Sequence, residues 1–322
     1  MTEKPHQMEN HHIVFGPVPS RRLGQSLGIN NIPPKACTYN CVYCQVGRTT
    51  DLDLTRRPFF APEQILAAAR QKVQQTRQAG GRVDYLSFVP DGEPTLDLSL
   101  GESIRLLRQL AIPIAVFTNA SLLYLPEVRT CLKLADWVSI KVDAVGLQAW
   151  REVNRPSRLL DFGEMLRGIR DFAATYPGEL ATETMLVAGI NDGVAELRAT
   201  AEFIASLKPA IAYLAIPTRP PAVEGVKAPA EERLQEAYQI FARQIERVEY
   251  LIGFGEGSFP VNASPREALL GITAVHPMRE EEALAYLRQA GASRAVLDEL
   301  LSDGELAAVE YEQQRFLLRK YS

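Results

Sequence analysis

Three of the four cysteines crowd into the string KACTYNCVYCQVGRTT, where Cys37, Cys41 and Cys44 are spaced Cys-x3-Cys-x2-Cys and Cys131 stands alone. Three thiolates on one short loop can converge on a single iron–sulfur cluster. A cubane has four irons, so three protein ligands leave one iron open to another molecule, much as a catalytic zinc keeps an open position. A structural zinc site and an electron-transfer cluster both normally take a fourth protein ligand. No further cysteine or histidine follows the loop closely, and the four histidines lie at the two ends of the chain. In a reducing compartment this distribution points to a metal centre rather than a disulfide framework.

The elements that would position such a loop can be read from hydrophobic periodicity. Six short β-rich segments end near Asn30, Val89, Thr118, Val142, Val187 and Ile216, and stretches with helical spacing separate most of them. Strands that alternate with helices imply a parallel sheet. Pro62 to Ala79 and Leu98 to Leu110 show helical spacing, with Pro62 suited to a first turn and Gly80-Gly81 to a stop. Along Trp137 to Asp143, Val138, Ile140 and Val142 point one way and Ser139, Lys141 and Asp143 the other. A polar inner face of that kind suits a barrel with a wet interior.

Polar residues at the carboxyl ends of parallel barrel strands usually face the reaction site. On this basis Thr118 and Asn119 end the third strand, and Ser139, Lys141 and Asp143 the fourth. Glu183 and Met185 lie near the end of the fifth, while Thr218 and Arg219 follow the sixth. Arg219 could hold an anionic substrate. A Lys141–Asp143 ion pair serving structure, or a pairing of Glu183 with Lys141, is the competing reading. Of Arg21 and Arg22, adjacent on an extended chain, only one is expected to enter the barrel.

At this point the sequence resembles the radical S-adenosylmethionine (SAM) superfamily, whose cluster loop has this spacing and usually an aromatic residue before the third cysteine, as Tyr43 is here. A second match is SFVPDGEPTL, where Gly92, Glu93 and Pro94 stand like the family's glycine-rich acidic motif, with Asp91 in the place of a common first glycine. The resemblance implies a partial (βα)6 TIM-like barrel, a four-iron four-sulfur (4Fe-4S) cluster on Cys37, Cys41 and Cys44, and SAM as cofactor. It assigns Tyr43 to the adenine of the cofactor and Glu93 to its methionyl ammonium, a charge-assisted contact. Thr118, Asn119, Ser139, Glu183 and Met185 become cofactor contacts by the same resemblance, Glu183 towards the ribose, and Lys141 and Asp143 are the catalytic candidates. The first step it implies is reductive cleavage of SAM to a 5'-deoxyadenosyl radical that abstracts hydrogen from a substrate.

The strings GPVPSRRLGQSLGIN, GEPTL, VSIKVDA, NRP at 154 to 156 and ETMLVAGIND, with the cluster loop, look like the branch related to the tRNA wyosine synthases over roughly residues 14 to 220. Those synthases carry a second cluster on earlier cysteines, and none precedes Cys37 here. The implied partners are a reductant such as flavodoxin or ferredoxin and a substrate that is a small molecule, tRNA or protein. Two alternatives are a wyosine-synthase-like enzyme that modifies tRNA and an activase of a glycyl-radical partner protein.

With 322 residues, 46% of them hydrophobic and 23% charged, the chain has room for one large core and a small appendage. The expected division is 14–255 for the barrel and 274–322 for a winged-helix-like α+β module with helices near Arg279 to Gln289 and Arg294 to Leu301. In that tail six Lys and Arg stand against nine Asp and Glu, which argues against a strong phosphate-binding surface. The polar opening MTEKPHQMENHH and the lack of a long apolar run lead to the expectation of a cytoplasmic protein without a membrane span.

Overall fold

The structure, a computed structural model, describes residues 13–251, 264–273, 277–311 and 313–320. His276, Glu312 and the expected boundary residues 252–255 and 274–276 lie outside the described residues.

Strands β1 (Val14–Ser20) and β2 (Gly24–Ile29) form an antiparallel hairpin. The two-residue strands β3 (Ala36–Cys37) and β4 (Asp51–Leu52) pair across the base of the cysteine loop. The barrel continues through β5 (Tyr85–Phe88), β6 (Ile114–Thr118), β7 (Trp137–Lys141), β8 (Glu179–Met185), β9 (Ile211–Ala215) and β10 (Val248–Leu251). Between them run α1 (Pro62–Gln78), α2 (Leu100–Leu107), α3 (Pro126–Leu132), α4 (Leu147–Asn154), α5 (Phe162–Ala173), α6 (Val194–Leu207) and α7 (Glu231–Ala242). The eight-stranded sheet runs β1-β2-β5-β6-β7-β8-β9-β10, parallel throughout except for β1.

The sheet thus has seven parallel strands among the described residues, where periodicity marked six. The extra one, β10, is four residues long with a charged residue in its middle, too short to show a pattern. The first expected strand resolves into the hairpin, whose opening residues, rich in Pro and Gly, hide the β signal. Helix α1 starts at Pro62 and stops before Gly80, which adopts φ 74°. The stretch to Leu110 is α-helical only to Leu107 and finishes as a 3-10 turn.

The outer face of the sheet packs under the helices through side chains such as Leu86, Phe88, Ile114, Val116, Val138 and Ile140, all fully buried. Inside, Leu23, Ala115, Trp137, Ala181, Ile211 and Tyr213 form a second apolar layer near the amino ends of the strands. This layer floors the barrel, and the polar side chains stand above it towards the carboxyl ends.

The C-terminal part comprises α8 (Pro265–Thr273), β11 (Met278–Arg279), α9 (Glu280–Gln289), α10 (Ala295–Ser302), β12 (Leu306–Tyr311) and β13 (Gln314–Arg319). Its sheet runs β11-β13-β12, all antiparallel. Leu269, Met278, Tyr286, Leu297, Leu300 and Leu317 give it an apolar core of its own. The two expected helices and hairpin are there, joined by α8, which rests against β1.

Candidate functional site

The loop from Cys37 to Leu52 is held from two sides. Turns within it pair the Cys44 amide with the Cys41 carbonyl at 3.1 Å and the Gly47 amide with the Cys44 carbonyl at 3.2 Å. Against its outer side lies the end of α4 and the residues after it: the Val42 amide donates to the Val153 carbonyl at 2.9 Å and Ser157 to Thr38 at 3.0 Å. All three loop cysteines line one cavity of about 470 Å³, into which every strand of the large sheet sends at least one residue. A sheet whose eight strands share one cavity is curled around it, as the polar inner face of β7 predicted.

The thiols are built to be ligands rather than free groups. Asn119 Nδ2 donates to Cys37 Sγ and Asn154 Nδ2 to Cys41 Sγ, each at 3.5 Å. Burial pushes Cys37 well above the usual thiol range, Cys41 up to about 12 and Cys44 upwards as well, with the Asp143 carboxylate adding to the effect on Cys41. Such thiols become thiolates only when a cation arrives to offset the charge. Three of them beside a roomy cavity, with amide donors already aimed at two sulfurs, fit a cubane with one open iron.

The GEP turn is stitched to this loop. Lys35 N donates to Asp91 O at 2.6 Å and Glu93 N to Ala36 O at 3.0 Å. A Cβ on Gly92 would stand 2.0 Å from the Ala36 carbonyl oxygen, so only glycine permits the approach. Glu93 is fully buried, and its carboxylate accepts from Thr95 N at 3.0 Å, Thr95 Oγ1 at 2.6 Å, Thr118 Oγ1 at 2.7 Å and Asn119 N at 2.7 Å. Three of these donors fall on Oε1 and one, Asn119 N, on Oε2, so Glu93 joins the GEP turn, itself a short 3-10 segment from Pro94, to the end of β6.

Deeper in the cavity the charges interlock. Lys141 Nζ lies 3.0 Å from Glu183 Oε1, and Arg22 pairs with the other oxygen of Glu183. Lys141 and Glu183 are direct register partners on β7 and β8. Burial opposes both charges, yet Lys141 and Arg22 draw Glu183 down to about 2, and Glu183 with Asp143 keeps Lys141 protonated well above the usual range. Lys141 also sits 4.8 Å over the Tyr43 ring. Asp143 accepts from the Tyr43 hydroxyl, from Asn154 Nδ2 at 2.6 Å and from Met185 N at 2.9 Å.

The structure therefore brings Tyr43, Gly92, Thr118, Asn119, Ser139, Lys141, Glu183 and Met185 to the wall shared with Cys37, Cys41 and Cys44, whereas Glu93, Pro94 and Asp143 stand behind it. The ion pair of Lys141 is with Glu183, not Asp143. Arg21 and Arg22 occupy a turn rather than an extended strand, so alternation does not separate them and both reach the cavity. Asn154, which ties Cys41 to Asp143, was passed over at the sequence level although it opens the NRP string.

Comparison with known proteins agrees with this geometry. The sequence pattern of the Radical SAM superfamily matches residues 31–204. A UPF0026 protein of Methanocaldococcus jannaschii is 41% identical over 309 residues, covering 95% of this chain and 96% of that one. Among solved structures, TYW1 with a lysine–pyruvate adduct bound superposes with a TM-score of 0.53 at 15% identity, over 73% of this chain and 78% of that chain. A radical SAM methyltransferase from Sphaerobacter thermophilus does so with a TM-score of 0.51 at 19% identity, over 71% and 67%. At those identities the two structures speak for the fold.

Proposed function

The chain belongs to the radical SAM superfamily, and from that premise we propose that it takes a hydrogen atom from a substrate held in the cavity beside Cys37, Cys41 and Cys44. Its cofactors are a 4Fe-4S cluster and SAM. When bound, they supply an electron and, by cleavage of the sulfonium bond, a 5'-deoxyadenosyl radical. The observation that carries this reading is the meeting of three half-buried thiols and a row of polar strand ends on one cavity.

In this reading Cys37, Cys41 and Cys44 hold three irons, with Asn119 and Asn154 donating to their sulfurs. Tyr43 packs the adenine, Ser139 and Glu183 face the ribose, and Met185 contributes apolar wall. Glu93 takes three bonds from within the chain on Oε1 and one, from Asn119 N, on Oε2, which leaves Oε2 capacity for the methionyl ammonium while the carboxylate orders Thr118 and Asn119, which line the cavity. Lys141 touches the reacting molecules, and Asp143 positions Tyr43 and Met185 from behind.

The electron enters from outside. Arg151, Arg155 and Arg158 are exposed on the segment that covers the outer side of the cluster loop, and none has a carboxylate partner among the described residues. Such a surface suits an acidic one-electron carrier of the flavodoxin or ferredoxin kind. Among the described residues no helix is long and apolar enough to cross a membrane, and we place the reaction in the cytoplasm, with 14–255 carrying the chemistry and 274–322 as an accessory unit.

The test is anaerobic reconstitution with iron and sulfide, followed by SAM and dithionite, with 5'-deoxyadenosine measured in the wild type and in Cys41→Ala. Formation in the wild type alone supports the reading and opens a substrate screen that starts with tRNA. No formation despite about four irons per chain overturns it.

A further inference from the structure

We propose that the cavity contains an anion-binding subsite at Arg219, and hence that the substrate carries a carboxylate or phosphate group. This rests on the cavity being the place where the substrate is held.

Arg219 follows β9 in a loop fastened to the cluster loop at two points. The Val223 amide donates to the Val42 carbonyl at 3.1 Å, and Arg219 Nη1 donates to Gln45 Oε1 at 3.0 Å, one residue after Cys44. These ties set the guanidinium in the cavity wall beside the cysteines. Its Nε is buried, and among the described residues it has no acceptor and no carboxylate within ion-pair distance. Glu282, the acid that acts on it through space, is committed to Arg279 at 2.9 Å. A partly buried cation with an unpaired N–H is costly to keep, and burial brings Arg219 down to about 10. The edge formed by Nε and Nη2 has the fork that a planar oxyanion fits.

The charges around the cavity point the same way. Arg21, Arg22, Lys35, Lys141 and Arg219 line it against Asp91 and Glu183, and Glu183 is already shared by Arg22 and Lys141. The cofactors do not absorb this excess. SAM carries two positive groups and one carboxylate, and a cubane on three thiolates has a net charge of about minus one, so the two roughly cancel. Asp143 and Glu93 behind the wall offset part of this excess, Asp143 acting on Lys141, whereas Arg219 keeps a buried Nε with no acceptor among the described residues, a place that an anionic substrate would fill.

The experiment uses the full chain with cluster and SAM bound, at constant ionic strength set with potassium chloride. Inorganic phosphate and succinate are titrated separately against the thermal midpoint and against the electron paramagnetic resonance signal of the reduced cluster. The wild type is expected to respond saturably to one or both, and whichever acts identifies phosphate or carboxylate as the group. Arg219→Gln should weaken that response at least tenfold, and Arg219→Lys should fall between. No saturable response of the wild type overturns the proposal whatever the variants do. An equal response of Arg219→Gln or, if that variant does not fold, of Arg219→Lys also overturns it. Formation of 5'-deoxyadenosine by the same wild-type sample separates this failure from failure of the radical reading.

Discussion

At the scale of single residues, the cavity is organised by groups that the cysteines do not themselves reveal. Asn154 bonds both Cys41 and Asp143, so it orients a ligand and the residue that braces Tyr43. Replacing such an outer-shell partner costs on the order of 10–100-fold in metal affinity or activity; Asn154→Ala should show that loss in iron retention and in the rate of 5'-deoxyadenosine formation. Glu183 lies between two cations, so Glu183→Gln should lower the unfolding free energy in urea by about 3 kcal/mol, the low end for a broken buried pair because Lys141 keeps 28% exposure. The pH dependence has a definite sign. A carboxyl held down to about 2 contributes stability above its ordinary value of 4.5, and that stability is lost as pH falls through about 2. Glu183→Gln should flatten the loss between those values in the cluster-free protein, and an unchanged acid limb would contradict the ion pair.

At the scale of elements, the cluster loop depends on two neighbours that are distant in sequence. The GEP turn approaches it through Gly92, and Gly92→Ala would push the turn off the Ala36 carbonyl. We expect that variant to lose iron binding and at least about 2 kcal/mol of stability, whereas Gly193→Ala, where nothing lies within 4 Å of the added methyl, should keep both. The second neighbour is the stretch from Arg151 to Arg158. Charge reversal at Arg155, whose carbonyl also accepts from Asn40 at 3.1 Å through the backbone alone, should slow reduction by flavodoxin-type acidic carriers and weaken their binding at low salt. Reduction by dithionite should continue at the wild-type rate, and an equal slowing by both reductants would remove the docking surface from consideration.

At the scale of the whole molecule, the apolar clusters of the barrel, under its helices and at its floor, are separate from the one around Leu269, Tyr286 and Leu317 among the described residues. Separate cores joined through the contact of α8 with β1 should unfold in two calorimetric transitions, with a measured enthalpy above the van't Hoff value. A single two-state transition would show that the contact couples them fully. Glu282 of α9 acts electrostatically on Arg219 of the cavity wall, a relation that the acidic composition of the tail alone did not suggest.

The sequence by itself determined the local chemistry: a three-thiolate loop, the GEP turn, the alternation along β7 and the parallel order of strands and helices. These depend on spacing within a few residues, and spacing survives in a linear string. The tertiary structure decided the partners. Lys141 meets Glu183 rather than Asp143 because the β7–β8 register sets them side by side. Arg22 reaches Glu183 because a turn, not a strand, carries it. Asn154 meets Cys41 across 113 positions because α4 ends against the cluster loop. Each of these contacts depends on how the sheet curls and on which end of a helix returns to it, and no local pattern encodes either.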